Sequence, residues 1–541
     1  MRSVHALQSG GQGSVRLGWV LAAVLSCSAS LSAQEKVEAP AASAGELQAA
    51  PAAVIAPVAP PATTGTVQPQ PFLAATSLTE ALKAKLAETW TGTRAAEERQ
   101  ALADFYEARG HAPVWTDAKG LTTWAEAIMA ELRDAESWGL SAAELAVPEA
   151  TSAGAGTKEQ AAAEVAISRA VLRYARQARG GRIDPLQLSN ALDRKPQLLE
   201  PRAVLDGIAK AGAPDAYLAG LNPQHVGFQR LRQAYVTSRQ APTPDAKLQR
   251  KLLVNMEQWR WMPDDLGAFH VISNVPEFML RVVKDGKVVH AERIIAGLTD
   301  KQTPVFSAEM TMVTFHPQWG VPNSIKVKEI LPGLLRGRSV MTRNNLKIAL
   351  NGKEIDPAQV DWTKADIRAY HVYQPGGGQN VLGVVKFSFP NKHDVYMHDT
   401  PTKNLFNAAS RTFSHGCMRV RDPLKFATVL LEQDKGWNMS RVAALAGPGG
   451  GQNNAVTLGR KIPVHVTYFT AVVDEAGKLT TYADPYGHEN RIQMSLDGKA
   501  HLIAKSKQDL GAARAEVIAR LGDARVTREK PDWRQQAFGA N

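Results

Sequence analysis

The sequence predicts a multidomain α+β protein, helical in its first half and mostly β in its second. One change of hydrophobic period, from helical spacing to alternation, carries this reading. From about 76 to 245, apolar residues recur at helical spacing. Leu78, Leu82, Leu86 and Trp90 fall every four residues, and Ile167, Val171, Tyr174 and Ala175 share another face. From about 250 the period drops to two. Phe269-His270-Val271-Ile272 and Phe278-Met279-Leu280-Arg281-Val282-Val283 read as strands, and Asp285-Gly286 makes a hairpin turn before Val288-Val289. Composition agrees: 541 residues with 44% hydrophobic and 21% charged side chains exclude a wholly disordered or fibrous chain. The length suits several domains of ~100–200 residues.

The N-terminus reads as an address. Arg2 and Arg16 precede an apolar run from Leu17 to Leu25, and small residues follow, ending Leu31-Ser32-Ala33-Gln34. This is a secretory signal pattern over 1–33. The run is shorter than the ~20 apolar residues of an ordinary membrane span. Leu31 departs from the small-x-small exit, so an uncleaved anchor is the alternative, and Val24-Leu25-Ser26-Cys27 faintly resembles a lipoprotein cleavage box. Residues 34–75 are dominated by Ala, Pro, Val, Gln and Thr and have too few large apolar groups for a core. They read as a disordered tether.

The helical domain spans 76–245, with one helix stopped by Gly180-Gly181. It shows neither an internal repeat nor a cluster of titratable residues. The strand-rich domain spans about 250–470, with further strands at 309–315, 381–389 and 394–399. Between them, about 325–375, lies a polar segment with helix-like Ile325–Leu334, ending Pro375-Gly376-Gly377-Gly378. It reads as an insertion with hinge-like ends. A helix at 423–433, a Gly-rich linker at 447–451, a hairpin about Glu475-Ala476-Gly477 and a helix near 508–521 complete the chain. The last two belong to a C-terminal piece, 471–541.

The net charge of +11 suits a polyanion, an anionic membrane surface or an acidic wall polymer, and nothing points to nucleic acid. Two cysteines, Cys27 and Cys417, do not make a disulfide scaffold. Cleavage after Ala33 leaves Cys417 alone, either as an inert buried residue or as a working thiol.

The chemistry sits in Tyr396-Met397-His398-Asp399-Thr400 and Ser414-His415-Gly416-Cys417-Met418-Arg419-Val420. Tyr396 and His398 share one face of a strand. Gly416 lets the backbone approach a substrate closely. Asp422-Pro423 caps and starts a helix. A thiol becomes a nucleophile when a nearby base or positive field favours thiolate. His415, two residues from Cys417, points the other way in an extended loop. His398 is far enough upstream for a strand to leave and return beside the thiol. His398 is therefore assigned as the base, His415 as a structural or substrate-shaping residue, and Arg419 as a holder of a substrate carboxylate or of the loop. A zinc site from His393, His398, His415 and Cys417 matches no known ligand spacing. His290, His316 and His371 have no partners in sequence and read as ordinary histidines.

The full signature, His398 followed after an interval by Ser414-His415-Gly416-Cys417-Met418-Arg419, resembles that of the L,D-transpeptidases with a YkuD-type catalytic domain. Further residues resemble that family's larger, lidded branch. They are His316-Pro317-Gln318-Trp319-Gly320-Val321-Pro322-Asn323-Ser324-Ile325 and Asp484-Pro485-Tyr486-Gly487. Tyr174 through Pro185 is similar to the branch's scaffold domain. In one respect the chain departs. Tyr235 ends the scaffold and Leu248–Trp261 already begins the catalytic approach, which leaves no room for the small peptidoglycan-binding module usual between them.

The resemblance implies a helical scaffold domain followed by a mostly β catalytic domain with an inserted helical capping lid over the active site. It implies transfer between peptidoglycan stem tetrapeptides, which serve as donor and acceptor. Cys417 attacks the bond between the third and fourth stem residues and expels D-Ala. The acyl-thioester then passes to the third-residue amine of another stem, giving a 3→3 cross-link. His398 moves the protons, and the Cys417 N–H with Tyr396 or a neighbouring amide forms the oxyanion hole. The carbonyl of Asp399 orients the imidazole. No metal or organic cofactor is implied. The place of action is the periplasm or cell envelope, with membrane contact only through an uncleaved N-terminus. Two rivals stay open: a hydrolase of wall cross-links or protein–wall bonds on the same site, and a non-catalytic wall-binding protein.

Overall fold

The computed structural model describes residues 76–91, 94–147, 156–337, 339–503 and 514–519. The expected signal segment (1–33) and tether (34–75) lie outside them.

In the helical half, the amphipathic spacing builds a bundle around α1 (Thr157–Gly180). Ile167, Val171, Tyr174 and Ala175 of α1 share one core with Leu78, Leu82, Phe105 and Tyr106. Each large side chain buried there is worth ~1.5–3 kcal/mol. Gly181 follows α1 at φ 79°, a conformation that favours glycine, and a Cβ there would collide with the Glu257 carboxylate. Without it, Glu257 of α2 (Ala246–Trp259) accepts from the N–H groups of Arg182 at 2.6 Å and Ile183 at 2.9 Å. The glycine pair therefore ends one helix and locks its exit onto the next. A titratable cluster does exist in this half. Glu164 is buried and accepts from Tyr106, Val114 N, Trp115 N and Thr116.

The alternating segments form β1 (Phe269–Asn274), β2 (Met279–Lys284), β3 (Lys287–Gly297), β4 (Ser307–Phe315), β5 (Val385–Ser388), β6 (Met397–His398), β7 (Thr412–Ser414), β8 (Met418–Val420) and β9 (Asn454–Thr467). They make one sheet in the order β7-β3-β8-β6-β5-β4-β9-β1-β2, and β2 also pairs with β3, so the sheet closes on itself. Closure leaves an interior filled by Val271, Leu280, Ile294, Val313, Phe387, Met397, Met418 and Val464. Ile183, Leu188 and Leu192 from the end of the helical half join that core. Leu192 forms a parallel bridge to Val305, and Arg194 donates to Val466 O at 2.6 Å.

Strand β9, central in the sheet, is not among the strands the sequence announces. It runs antiparallel to β4 and parallel to β1. Val456, Leu458, Ile462, Val464 and Val466 do alternate. Gly459 and Pro463 break the pattern, and the register shifts between Thr457 and Ile462 where the strand bulges.

The insertion between β4 and β5 has its own core of Val327, Leu331, Leu335, Ile348, Trp362, Ile367 and Val372. A purely helical cap is the expectation, but the insertion is mixed. A helical run from Asn323 to Leu335 packs with a four-stranded sheet made of 319–320, 371–374, 347–350 and 353–354. The strand signal is short here, no more than Lys347-Ile348-Ala349-Leu350, and its turn is Asn351-Gly352. Of the expected C-terminal helix, residues 514–519 are described and helical, and Val517 joins the insertion's core.

Candidate active site

The strand register decides which side chains meet. β6 runs parallel to β8, with Met397 opposite Met418 and His398 opposite Arg419. On its other edge β6 runs antiparallel to β5, with Lys386 opposite His398 and Phe387 opposite Met397. Successive side chains alternate between the two faces of a sheet. Phe387, Met397 and Met418 therefore point together into the core, where all three are buried. Lys386, His398 and Arg419 form a row on the opposite face, with Tyr396 and Cys417 one step back on that same face.

The loop before β8 is held by its own polar atoms. Ser414 Oγ donates to Cys417 O at 2.5 Å and accepts from Gly416 N at 3.2 Å. Gly416 sits at φ 114°, which admits glycine and few other residues. Thr303 Oγ1 donates to Gly416 O at 2.8 Å and accepts from Gly297 N at 2.8 Å. The Tyr486 hydroxyl donates to Gly297 O at 2.7 Å and accepts from Thr303 N at 3.3 Å. The Asp484–Gly487 motif thus supports the cysteine loop from behind.

Cys417 Sγ lies 3.8 Å from Asp394 O and meets Tyr396 through both its backbone and its hydroxyl. The Tyr396 hydroxyl in turn meets Trp319 at the base of the insertion. Lys386 Nζ lies 4.2 Å above the centre of the Tyr396 ring. Among the described residues no hydrogen bond joins Cys417 to His398. The Cys417 N–H likewise has no protein acceptor among them.

His398 is buried, and its Nδ1 lies 2.5 Å from Asp399 O. A carbonyl accepts only, so Nδ1 carries the proton and Nε2 keeps its lone pair. Burial, then the positive charge of Arg419, lowers the imidazole to about 3. Burial pushes the Cys417 thiol up to about 11, against partial opposition from Tyr396 and Lys386. At neutral pH the pair rests as thiol and neutral imidazole.

The remaining sequence-predicted residues take distinct places. The Asp399 carboxylate is turned away from the imidazole, accepting from Val384 N at 3.0 Å and from Lys403 at 2.5 Å. Arg419 donates to Thr402 Oγ1 at 3.0 Å. His415 leaves the cysteine side altogether. Its Nε2 lies 2.7 Å from Glu329 Oε1 in the insertion, and Lys301 Nζ meets that same oxygen at 2.6 Å. His393, a metal ligand by residue type alone, bonds Asp193 at 2.8 Å. Sequence reasoning misses Lys386, Asp394, Thr303 and Glu329. Lys386 is findable, since the sequence places its strand and it falls on the face away from Phe387. Asp394 stands two residues before Tyr396 on the same segment, whereas Thr303 and Glu329 become neighbours only through chain closure.

Comparison with known proteins bears on the family of the domains that carry this site. Residues 268–442 match the L,D-transpeptidase catalytic domain model, YkuD, and residues 100–234 match the Scaffold domain model. A Haemophilus influenzae protein named "Putative L,D-transpeptidase" is 29% identical over 254 residues, which are 46% of this chain and 50% of the relative. The match thus spans about half the length of that relative. Among solved structures, an L,D-transpeptidase from Mycobacterium smegmatis matches 37% of this chain and 58% of its own, at 12% identity and a TM-score of 0.18. The Ldtfm–avibactam carbamoyl enzyme matches 63% of this chain and 98% of its own, at 12% identity and a TM-score of 0.17. Those two likenesses are too weak to carry weight. The two domain models together establish that the chain carries an L,D-transpeptidase catalytic domain of the YkuD family, with a Scaffold domain ahead of it.

Proposed function

We propose that the protein is a peptidoglycan L,D-transpeptidase of the cell envelope that forms 3→3 cross-links through an acyl-enzyme on Cys417. The observation that carries the reading is the shared sheet face. A neutral imidazole with its Nε2 open stands on β6, the Cys417 thiol immediately precedes the paired β8, and Lys386 and Arg419 flank the imidazole on the neighbouring strands.

In the first half-reaction, the Cys417 proton passes to His398 Nε2 as sulfur attacks the donor carbonyl. The tetrahedral oxyanion is stabilised by the free Cys417 N–H and by the Tyr396 hydroxyl, a device worth ~3–4 kcal/mol in comparable acyl transfers. Collapse breaks the C–N bond, and the imidazolium returns its proton to the departing D-Ala amine. In the second half, the acceptor amine attacks the thioester. His398 takes the amine proton and delivers it to the leaving sulfur. Asp399 O holds the ring, while Ser414, Gly416 and Thr303 hold the loop. The insertion acts as a cap anchored by Glu329 on His415, keeping water from the thioester.

Incubating the purified protein with stem tetrapeptides and reading products by mass spectrometry tests the reading. Dimers with release of alanine support it. Cleaved monomers alone indicate a hydrolase, and unchanged tetrapeptide indicates a wall-binding protein.

A further inference from the structure

Lys386 favours the Cys417 thiolate by its charge but contacts no substrate group in the mechanism above. It is half-buried on the active face, one strand away from His398 and in register with it. Its ammonium makes no ion pair and no hydrogen bond among the described residues, only the contact with the face of Tyr396. The Cys417 thiolate, when formed, and then Asp394 are the negative charges it feels, and neither makes an ion pair or hydrogen bond with it among the described residues. Other cations of the site are engaged: Lys403 holds Asp399 and Arg421 O, and Arg419 holds Thr402. A half-buried ammonium without a counter-ion is costly unless an anion arrives.

We infer that Lys386 reads the terminal carboxylate of the donor stem, the group that leaves with the fourth residue. This deepens the transpeptidase reading and rests on it. The geometry follows from the leaving group. Its nitrogen must come beside His398 Nε2 to be protonated. Its carboxylate is attached one carbon further on, so it lies ~3–4 Å away, comparable to the ~4.8 Å between neighbouring strands. A lysine opposite His398 on the adjacent strand meets it there, with the Tyr396 ring limiting where the ammonium can go. Burial also draws the Lys386 ammonium below its ordinary pKa, which an arriving carboxylate would reverse.

The test compares two donors, a stem tetrapeptide with a free C-terminal carboxylate and the same stem as its C-terminal carboxamide. The readout is kcat/KM for release of the fourth residue. Wild-type protein is expected to prefer the acid by about ten- to a hundredfold, the range for a hydrogen bond to a charged group. Lys386→Met should bring that preference to within about twofold, and Lys386→Arg should keep most of it. A Lys386→Met protein that still prefers the acid as strongly as wild type overturns the inference and leaves the transpeptidase reading standing. A tenfold fall in Cys417 alkylation by iodoacetamide in Lys386→Met also overturns it, since the charge then serves the thiolate. Release of the fourth residue from neither donor by wild type sinks both.

Discussion

Glu164 in the scaffold and His398 in the catalytic domain are both buried titratable groups, and their surroundings differ in kind. Glu164 is saturated: a tyrosine, a threonine and two backbone N–H groups converge on its two oxygens. His398 is half-satisfied, with one nitrogen fixed by Asp399 O and the other left open to the active face. Burial works against the charged form of each, raising the Glu164 carboxyl and lowering the imidazole. The open valence is what separates them. A saturated buried group holds a fold together, whereas one with a free lone pair on the same sheet face as a thiol is available for chemistry. The same contrast holds between Glu257, closed by Arg182 N and Ile183 N, and Cys417, whose N–H has no acceptor among the described residues.

The largest expected effect attacks the catalytic side of that contrast. Cys417→Ser should lower cross-linking on the order of a thousandfold or more, because a hydroxyl is far harder to activate than a thiol. Its thermal midpoint should stay within about 2 °C of wild type, since the change is nearly isosteric. Calorimetry and product mass spectrometry on one preparation decide. Substantial cross-linking by a folded Cys417→Ser protein would break the nucleophile assignment.

The next pair of variants sharpens the contrast directly. His398→Ala should cost about a hundredfold in acylation by a carbapenem, the scale of lost general-base catalysis. Glu164→Ala should do the reverse. Four donors lose their acceptor, so stability should fall by ~3 kcal/mol or more, while acylation by the folded fraction stays near wild type. Urea unfolding and single-turnover acylation read the two axes. If Glu164→Ala lost activity as steeply as stability, the saturated group would not be merely structural.

How far the sequence foretells these two sites differs for a physical reason. The catalytic face is legible because local alternation and a short motif place Tyr396, His398, Cys417 and Arg419. The helical repeat likewise announces Ile167, Val171 and Tyr174 as core. Glu164 is not legible: its four partners lie at residues 106–116, and only the bundle's tertiary packing brings them to it. Strand β9 is hidden by Pro463, a residue that ordinarily argues against a central strand and stands here just past a bulge, opposite Glu309. The mixed character of the insertion is hidden because its strands are only two to four residues long, too short for periodicity to register.

A smaller effect concerns pH. The Cys417 thiol, pushed up to about 11, should alkylate with iodoacetamide at a rate rising about tenfold per pH unit from 7 to 9, without a plateau. A plateau already reached at pH 7 would mean a preformed thiolate–imidazolium pair. His398 titrates at about 3 when folded, below its ordinary 6.5. Its contribution is complete above pH 6.5 and is lost as pH falls from there towards 3. Cys417 has the opposite sign, because its raised pKa favours the folded state below the ordinary value of 9.0 and loses that contribution as pH rises through about 11.

The smallest expected effect is at the seam between the insertion and the signature loop. Glu329 sits in a π-helical turn, Lys326–Ile330, a local widening often found where a helix serves a site. Lys301 and His415 share one of its oxygens, and their charges hold its carboxyl below the usual range. Glu329→Gln keeps the shape and removes the charge. A partly exposed pair of this kind is worth ~1 kcal/mol at most, so the cap should be open up to about fivefold more of the time. Acylation should change little, because the thiol, imidazole and their row are untouched. The acyl-enzyme should instead lose a few-fold more of its stem to water than to the acceptor amine, measured as the ratio of hydrolysed monomer to dimer. An unchanged ratio would mean that the contact between Glu329 and His415 does not keep water out, and that the insertion's role lies elsewhere than over the thioester.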